Sequence, residues 1–306
     1  MKNNYSALFM KKPRHILEYL IYKLLTSALR LFSIDKSASI CSFIARKIGP
    51  YLGVSNIARS NLKMIYGQDI DTELIIDELW DNFGRYIGEF PFIDDITDLD
   101  KRVQIIGLEN IAKYKESKQP YFFFLAHQAN WDLLIKTVDK FYDKIAIVYR
   151  KANNPFVDKE IQEKRIKNNG ILMIPKGASG SKNIMQAIKN GTTILMLVDQ
   201  KMNDGIEVPF FGKPAMTAPA IAKLSMQFNY PIVPMQIIRK GRSSNFKLVI
   251  HKPIVEYNKE VKEEKLSGIE KEKKIYEIMK KINEIIESWV REQPGQWFWF
   301  HNRWKK

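Results

Sequence analysis

Residues 120–134 read PYFFFLAHQANWDLL. The apolar run Tyr121–Ala126, bounded by Pro120, has the length and aromatic content of a short buried strand. The chain then turns polar at His127–Gln128–Ala129–Asn130, and apolar residues return after Asp132 at helical spacing. Asn130 is placed to cap that helix, and Asp132 in its first turn suits the positive end of the helix dipole. His127 and Asp132 would lie about 140° apart on one helix, so they meet only if His127 sits on the loop and Asp132 on the first turn. In that arrangement the carboxylate can fix the imidazole as an oriented general base. A structural His–Asp pair uses the same two residue types and is the commoner outcome of such a motif.

Outward from this unit the pattern repeats. Val103–Ile106, Lys144–Tyr149, Ile171–Ile174, Thr193–Val198, Pro231–Ile238 and Phe246–Ile250 are further apolar runs of strand length. Helical stretches at 131–141, 155–169, 179–190 and 217–228 lie between most of them. Strands alternating with helices predict an α/β fold with a mainly parallel central sheet flanked by helices. Ahead of the sheet, 36–65 is helical with a break at Gly49–Pro50, and 71–90 is a helix opened by Asp71 or Thr72. After it, 267–291 carries an apolar stripe through Ile275, Ile278, Ile282, Ile286 and Trp289, as an outer helix packed on a sheet does.

Residues 14–34 form an amphipathic N-terminal helix, with Leu17, Leu20, Ile21, Leu24, Leu25, Ala28, Leu31 and Phe32 on one side and Glu18, Lys23 and Arg30 opposite. Those charges argue against a membrane-spanning helix. The segment therefore packs on the core or lies in a membrane interface, with Lys11, Lys12 and Arg14 near headgroups. The chain divides at 1–35, this amphipathic helix, and 36–306, the α/β domain.

With 306 residues the chain has ample core for one large domain or two small ones. Lys+Arg of 49 against Asp+Glu of 34 gives a net charge of +15, which draws the protein to polyanions: nucleic acid, anionic lipid or an acidic partner. The lone Cys41 excludes an internal disulfide, no Cys/His cluster has metal-ligand spacing, and no Gly-rich phosphate loop is present. The sequence thus calls for no metal and no cofactor.

Four further blocks carry chemistry. Arg150 follows the Lys144–Tyr149 strand, with Asn153–Asn154–Pro155 just behind it. Ligands bind at such strand ends in open α/β sheets, and the forked arginine donors suit phosphate or carboxylate. Pro175–Ser181 (PKGASGS) is a small-residue turn into a helix, which is either a plain loop or an anion site. Asp199–Gln200 follow another strand. Val208–Thr217 (VPFFGKPAMT) is an apolar, turn-rich loop in which Phe210 and Phe211 either line an acyl channel or cover the core. Finally, Pro294–Trp304 (PGQWFWFHNRW) interleaves aromatics with His and Arg, as nucleic-acid sites, membrane belts and C-terminal plugs all do.

HQANWD, YRKANNP, DQ with VPFFGKPAMT, and PGQWFWFHNRW, in that order, resemble the bacterial lipid A late acyltransferase family, over nearly the whole chain. Several members have Glu where Asp132 stands here. The resemblance implies a glycerolipid-acyltransferase-like fold at the cytoplasmic face of the bacterial inner membrane, with 1–35 as a membrane-associating helix and 36–306 as the acyltransferase domain. It implies acyl transfer from acyl carrier protein to a hydroxyl of a hydroxyacyl chain on a Kdo-bearing lipid A precursor, with anionic inner-membrane lipid as a partner and no nucleic acid. On this basis His127 is the general base, Asp132 fixes its tautomer, and Asn130, Arg150, Asn154, Asp199, Gln200, Phe210 and Phe211 bind substrate. No acyl-enzyme is needed. Glycerolipid acyltransferases usually carry a Glu-Gly-Thr-Arg-type block where this chain has Val198–Asp199–Gln200–Lys201, so lysophospholipid or another glycolipid is the alternative acceptor.

Overall fold

The computed structural model describes residues 3–93, 99–139, 144–165, 171–257 and 267–304, with side chains of 3–12, 99–100, 138–139 and 178–179 left aside. In chain order the first four helices are α1 (Asn3–Leu29), α2 (Ile34–Ile48), α3 (Gly53–Tyr66) and α4 (Thr72–Glu89). Short 3₁₀ turns follow α2 at Gly49–Tyr51 and α4 at Phe90–Phe92. The predicted 14–34 helix ends earlier than expected, because Ser33 accepts the Lys36 amide and caps a new helix. Asp71 caps α4 through the Leu74 amide, as its position forecast. Gly84 and Gly88 on α4 let it approach α2 closely, since a Cβ there would lie 2.6 Å from the carbonyl oxygens of Cys41 and Ser37. That contact fixes the end of α4, from which Tyr86 and Glu89 reach the site.

The α/β part runs α5 (Leu99–Arg102), β1 (Val103–Ile106), α6 (Glu109–Glu116), β2 (Phe122–Leu125), α7 (Trp131–Asp139), β3 (Ile145–Tyr149), α8 (Pro155–Arg165), β4 (Ile171–Pro175), α9 (Ala178–Lys189), β5 (Thr193–Leu197), β6 (Lys201–Phe210), β7 (Lys213–Thr217), α10 (Ala220–Phe228), β8 (Ile232–Arg239), β9 (Phe246–Ile250) and α11 (Gly268–Glu292). Among the described residues, seven strands form one sheet in the order β1-β9-β8-β2-β5-β3-β4. β8, β2, β5, β3 and β4 run parallel to one another, while β9 pairs antiparallel with β8 and parallel with β1. The mainly parallel α/β sheet expected from the alternating pattern is the one observed.

β2 is central and buried on both faces, which explains its unbroken apolar run. Phe122 and Phe124 join the core under α11 with Trp289 and Ile282, while Phe123 and Leu125 join the other with Leu133 and Leu134. Each such side chain contributes roughly 1.5–3 kcal/mol on burial.

Val208–Thr217, expected as a loop entering a helix at 217, is instead a hairpin of β6 and β7. Phe211 and Gly212 turn it at φ 54° and 67°, the sign of φ that two-residue hairpin turns require. The helix starts only at Ala220.

Candidate active site

Register explains where the functional groups meet. β2 pairs with β5 through Leu125↔Leu197, so the residues two beyond each, His127 and Asp199, emerge side by side at the strand ends. Neighbouring strands are about 4.8 Å apart, within reach of a hydrogen bond between the two side chains. His127 Nδ1 lies 2.7 Å from Asp199 Oδ1, and the His127 backbone amide donates to Asp199 Oδ2 at 2.9 Å. The Trp297 indole N–H donates to the same Oδ2 at 2.8 Å. Asp199 is buried, which opposes ionisation. The adjacent imidazole, its ring N–H, the His127 amide and the Trp297 N–H outweigh that and hold its carboxyl at about 2. Nδ1–H therefore points at a carboxylate, and Nε2 is left as the basic atom. Gln200 Nε2 is 3.4 Å from His127 Nε2, a long, weak contact that a substrate group can displace.

The predicted partner for His127, Asp132, takes other bonds. Its side chain is fully buried; Oδ2 accepts the Tyr86 hydroxyl at 2.7 Å, and Oδ1 forms an ion pair with Arg165 Nη2 at 2.6 Å. Ala129, at φ 48°, turns the chain sharply between the histidine and α7. His127 meets the carboxylate across the sheet, and Asp132 meets α4 and α8. Asp132 still lines the same cleft, with His127, Trp131, Arg150, Arg165, Lys176 and Gln200 around about 190 Å³. Trp131 stacks on Tyr86 at 4.4 Å and meets His127 edge-on at 5.3 Å.

Asn130 is the α7 cap, accepting the Leu133 amide at 3.0 Å, as forecast. Fully buried, its amide donates to Glu89. Glu89 also takes the Ser244 hydroxyl and both terminal nitrogens of Arg239. Asn130 is thus part of a polar core that holds the histidine loop rather than a wall of the cleft. Asn154 likewise caps α8 through the Phe156 amide and donates to the His15 carbonyl and Glu18, fastening α1 beside α8. Arg150 and Gln200 line the cleft.

Phe210 and Phe211 are buried with Trp297, Trp299, Trp304 and Tyr66, and the Arg291 guanidinium lies 4.7 Å over the Phe211 ring. They cover the core, and neither is among the residues lining the His127 cleft or the groove next to it. The apolar groove lies elsewhere, between the ends of β3–β5 and helices α9 and α10. It encloses about 310 Å³ lined by Ile184, Met196, Val198, Met202 and Ile221, and shares Val148, Lys176, Leu197 and Gln200 with the His127 cleft.

The C-terminal aromatic block is a brace. The Ala129 amide donates to Gln296 O, the Phe298 amide donates to His127 O, and Gln128 bridges to Trp297. His301 Nε2 accepts the Lys201 amide at 2.7 Å, securing the chain just past Gln200. Burial lowers the His301 pKa, favouring the neutral ring that this bond requires. Trp297, Tyr86, Arg165 and Lys176 were missed as site residues from sequence. Trp297 and Lys176 fell in blocks already singled out; Tyr86 and Arg165 gave no local signal.

No curated protein matches the sequence. Residues 7–306 match the family described as bacterial lipid A biosynthesis acyltransferase. With an oriented histidine at the strand ends and a match over almost the full length, the chain belongs to the bacterial lipid A biosynthesis acyltransferase family.

Proposed function

We propose that the protein transfers a fatty acyl group from an acyl carrier protein thioester to a hydroxyl of a hydroxyacyl chain on a Kdo-bearing lipid A precursor, with His127 as general base. The observation that carries this is the His127–Asp199 pair, whose Nε2, held only by a long contact to Gln200, borders a cleft that shares lining residues with an apolar groove. His127 Nε2 takes the acceptor hydroxyl proton, and the alkoxide oxygen attacks the thioester carbonyl. The tetrahedral oxyanion collapses, the C–S bond breaks, and the departing thiolate recovers the proton from the imidazolium. Asp199 holds the tautomer and stabilises the imidazolium. The acyl chain occupies the groove under Ile184 and Ile221. This direct transfer requires no side-chain nucleophile.

The protein acts at the cytoplasmic face of the inner membrane, seated by its N-terminal helices. Ile16, Leu17, Leu20, Ile21, Leu24 and Leu25 on α1 are exposed, the last two at 71% and 59%, as are Phe43, Ile44 and Ile48 on α2. Among the described residues no helix is long and apolar enough to cross a membrane, so an interfacial position fits these side chains best. Residues 1–66 also hold eleven Lys or Arg against two Asp or Glu, matching an anionic leaflet. Purified protein supplied with acyl carrier protein thioester and lipid A precursor should yield a product heavier by one acyl group in mass spectrometry. His127→Ala should lose roughly 10²- to 10⁴-fold in rate while keeping vesicle binding. Transfer by this variant at the wild-type rate would refute the mechanism.

A further inference from the structure

β3 and β4 pair in parallel through Tyr149↔Pro175, and the ladder continues with the Lys176 amide donating to the Tyr149 carbonyl at 2.8 Å. Arg150 and Lys176 are the next residue on each strand, so they leave adjacent strand ends on the same side. Both line the cleft beside His127. The third cation there, Arg165, is neutralised by Asp132. The Arg150 guanidinium and the Lys176 ammonium have no hydrogen-bonded or ion-paired partner among the described residues.

Two like charges at adjacent strand ends repel. Both residues keep exposed surface at the mouth of the cleft, while partial desolvation lowers the Lys176 pKa, opposed by the Asp199 charge and reinforced by the Arg150 charge. A pair of cations arranged in this way is stabilised by an anion between them. The forked arginine donors and the point charge of a lysine together suit a tetrahedral phosphate. A phosphate monoester carries close to two charges at neutral pH, which matches two cations where a carboxylate would leave one uncompensated.

We propose that Arg150 and Lys176 form a phosphate-binding pair at the junction of the His127 cleft and the apolar groove, a specificity element that rests on the acyl-transfer reading of that cleft. Lys176 lines both cavities, so the bound phosphate sits next to the reacting centre and orients one substrate against His127. The doubly charged monoester on the phosphorylated sugar of the acceptor is the source this charge count favours, and the singly charged phosphodiester arm of the carrier is the alternative that kinetics distinguish.

The binding test does not require turnover. Calorimetric titration of the full chain with glucose 1-phosphate should give binding that weakens with salt. Lys176→Met and Arg150→Met should each weaken it tenfold or more, and Lys189→Met, at the far end of α9, should leave it unchanged. Absence of binding to wild type, or equal binding by the Lys176 and Arg150 variants, overturns the proposal. Kinetics then identify the source. A tenfold rise in KM for Lys176→Met that disappears with a dephosphorylated acceptor assigns the acceptor. A rise that disappears with an acyl-pantetheine donor lacking phosphate assigns the carrier. A loss independent of both phosphates means a merely structural lysine and overturns the pair. If wild type binds the sugar phosphate but transfers no acyl group from any thioester, the acyl-transfer reading fails and the phosphate site stands.

Discussion

Asp199→Asn is the substitution that bears hardest on the proposed mechanism. In the wild type, Oδ2 accepts two N–H donors, from the His127 backbone and the Trp297 indole, while Oδ1 faces His127 Nδ1. An asparagine has only one carbonyl oxygen. To satisfy both buried donors, that oxygen must occupy the Oδ2 position, which turns the NH₂ group towards Nδ1. Nδ1 must then accept, so the proton moves to Nε2 and the atom facing the cleft is no longer a base. Loss of an oriented base costs roughly 10²- to 10⁴-fold, or about 3–5 kcal/mol of transition-state stabilisation. The loss should fall on kcat with KM little changed, because Asp199 is buried behind His127 and is not among the residues lining either cavity. Steady-state acyl transfer at neutral pH is the assay, with thermal melting as the check on folding. Asp132→Asn is the counterpart: it strands Arg165 in a buried pair and should cost about 3–5 kcal/mol of stability, so its activity loss should follow its melting temperature. A fully active Asp199→Asn beside an inactive Asp132→Asn of wild-type stability would refute this assignment.

Acid should expose the same carboxylate. The Asp199 pKa falls from 3.8 free to about 2 folded, so its contribution is complete above about pH 4 and is lost as pH drops through about 2. That is about 2 kcal/mol, and the fall in urea midpoint between pH 4 and 2 should be shallower in Asp199→Asn than in wild type. Phe210→Ala should lower stability by about 3–5 kcal/mol and leave acyl-length preference unchanged, whereas Ile184→Trp should shorten the preferred chain; mass spectrometry of products separates them. Leu20→Glu with Leu24→Glu should abolish binding to anionic vesicles in a sedimentation assay, and retained binding would place the membrane contact elsewhere.

The parts of this site legible in sequence are those set by local rules. The Tyr121–Ala126 run had the length and aromatic content of a short buried strand, and Asn130 stood where a helix cap belongs. His127 followed as a side chain delivered at a strand end. Its partner did not follow, because the nearer carboxylate at Asp132 competes in sequence with one brought in by the β2–β5 register, which is non-local. The same limit explains Phe210 and Phe211: a Phe–Gly pair at positive φ makes a hairpin only if both flanking strands pair, and composition alone suggested a loop. Arg165 and Tyr86 are ordinary surface-helix residues until α4 and α8 close on Asp132.

The segment around Gln296–Phe298 has a bearing on biosynthesis. The histidine loop is translated long before the residues that clamp it, so the nascent chain carries an unlocked centre through most of its synthesis. The hydrogen bond that completes the His127–Asp199 pair can form only once Trp297 has emerged from the ribosome and seated against Asp199, so the pair is assembled at the close of synthesis rather than with its own strands.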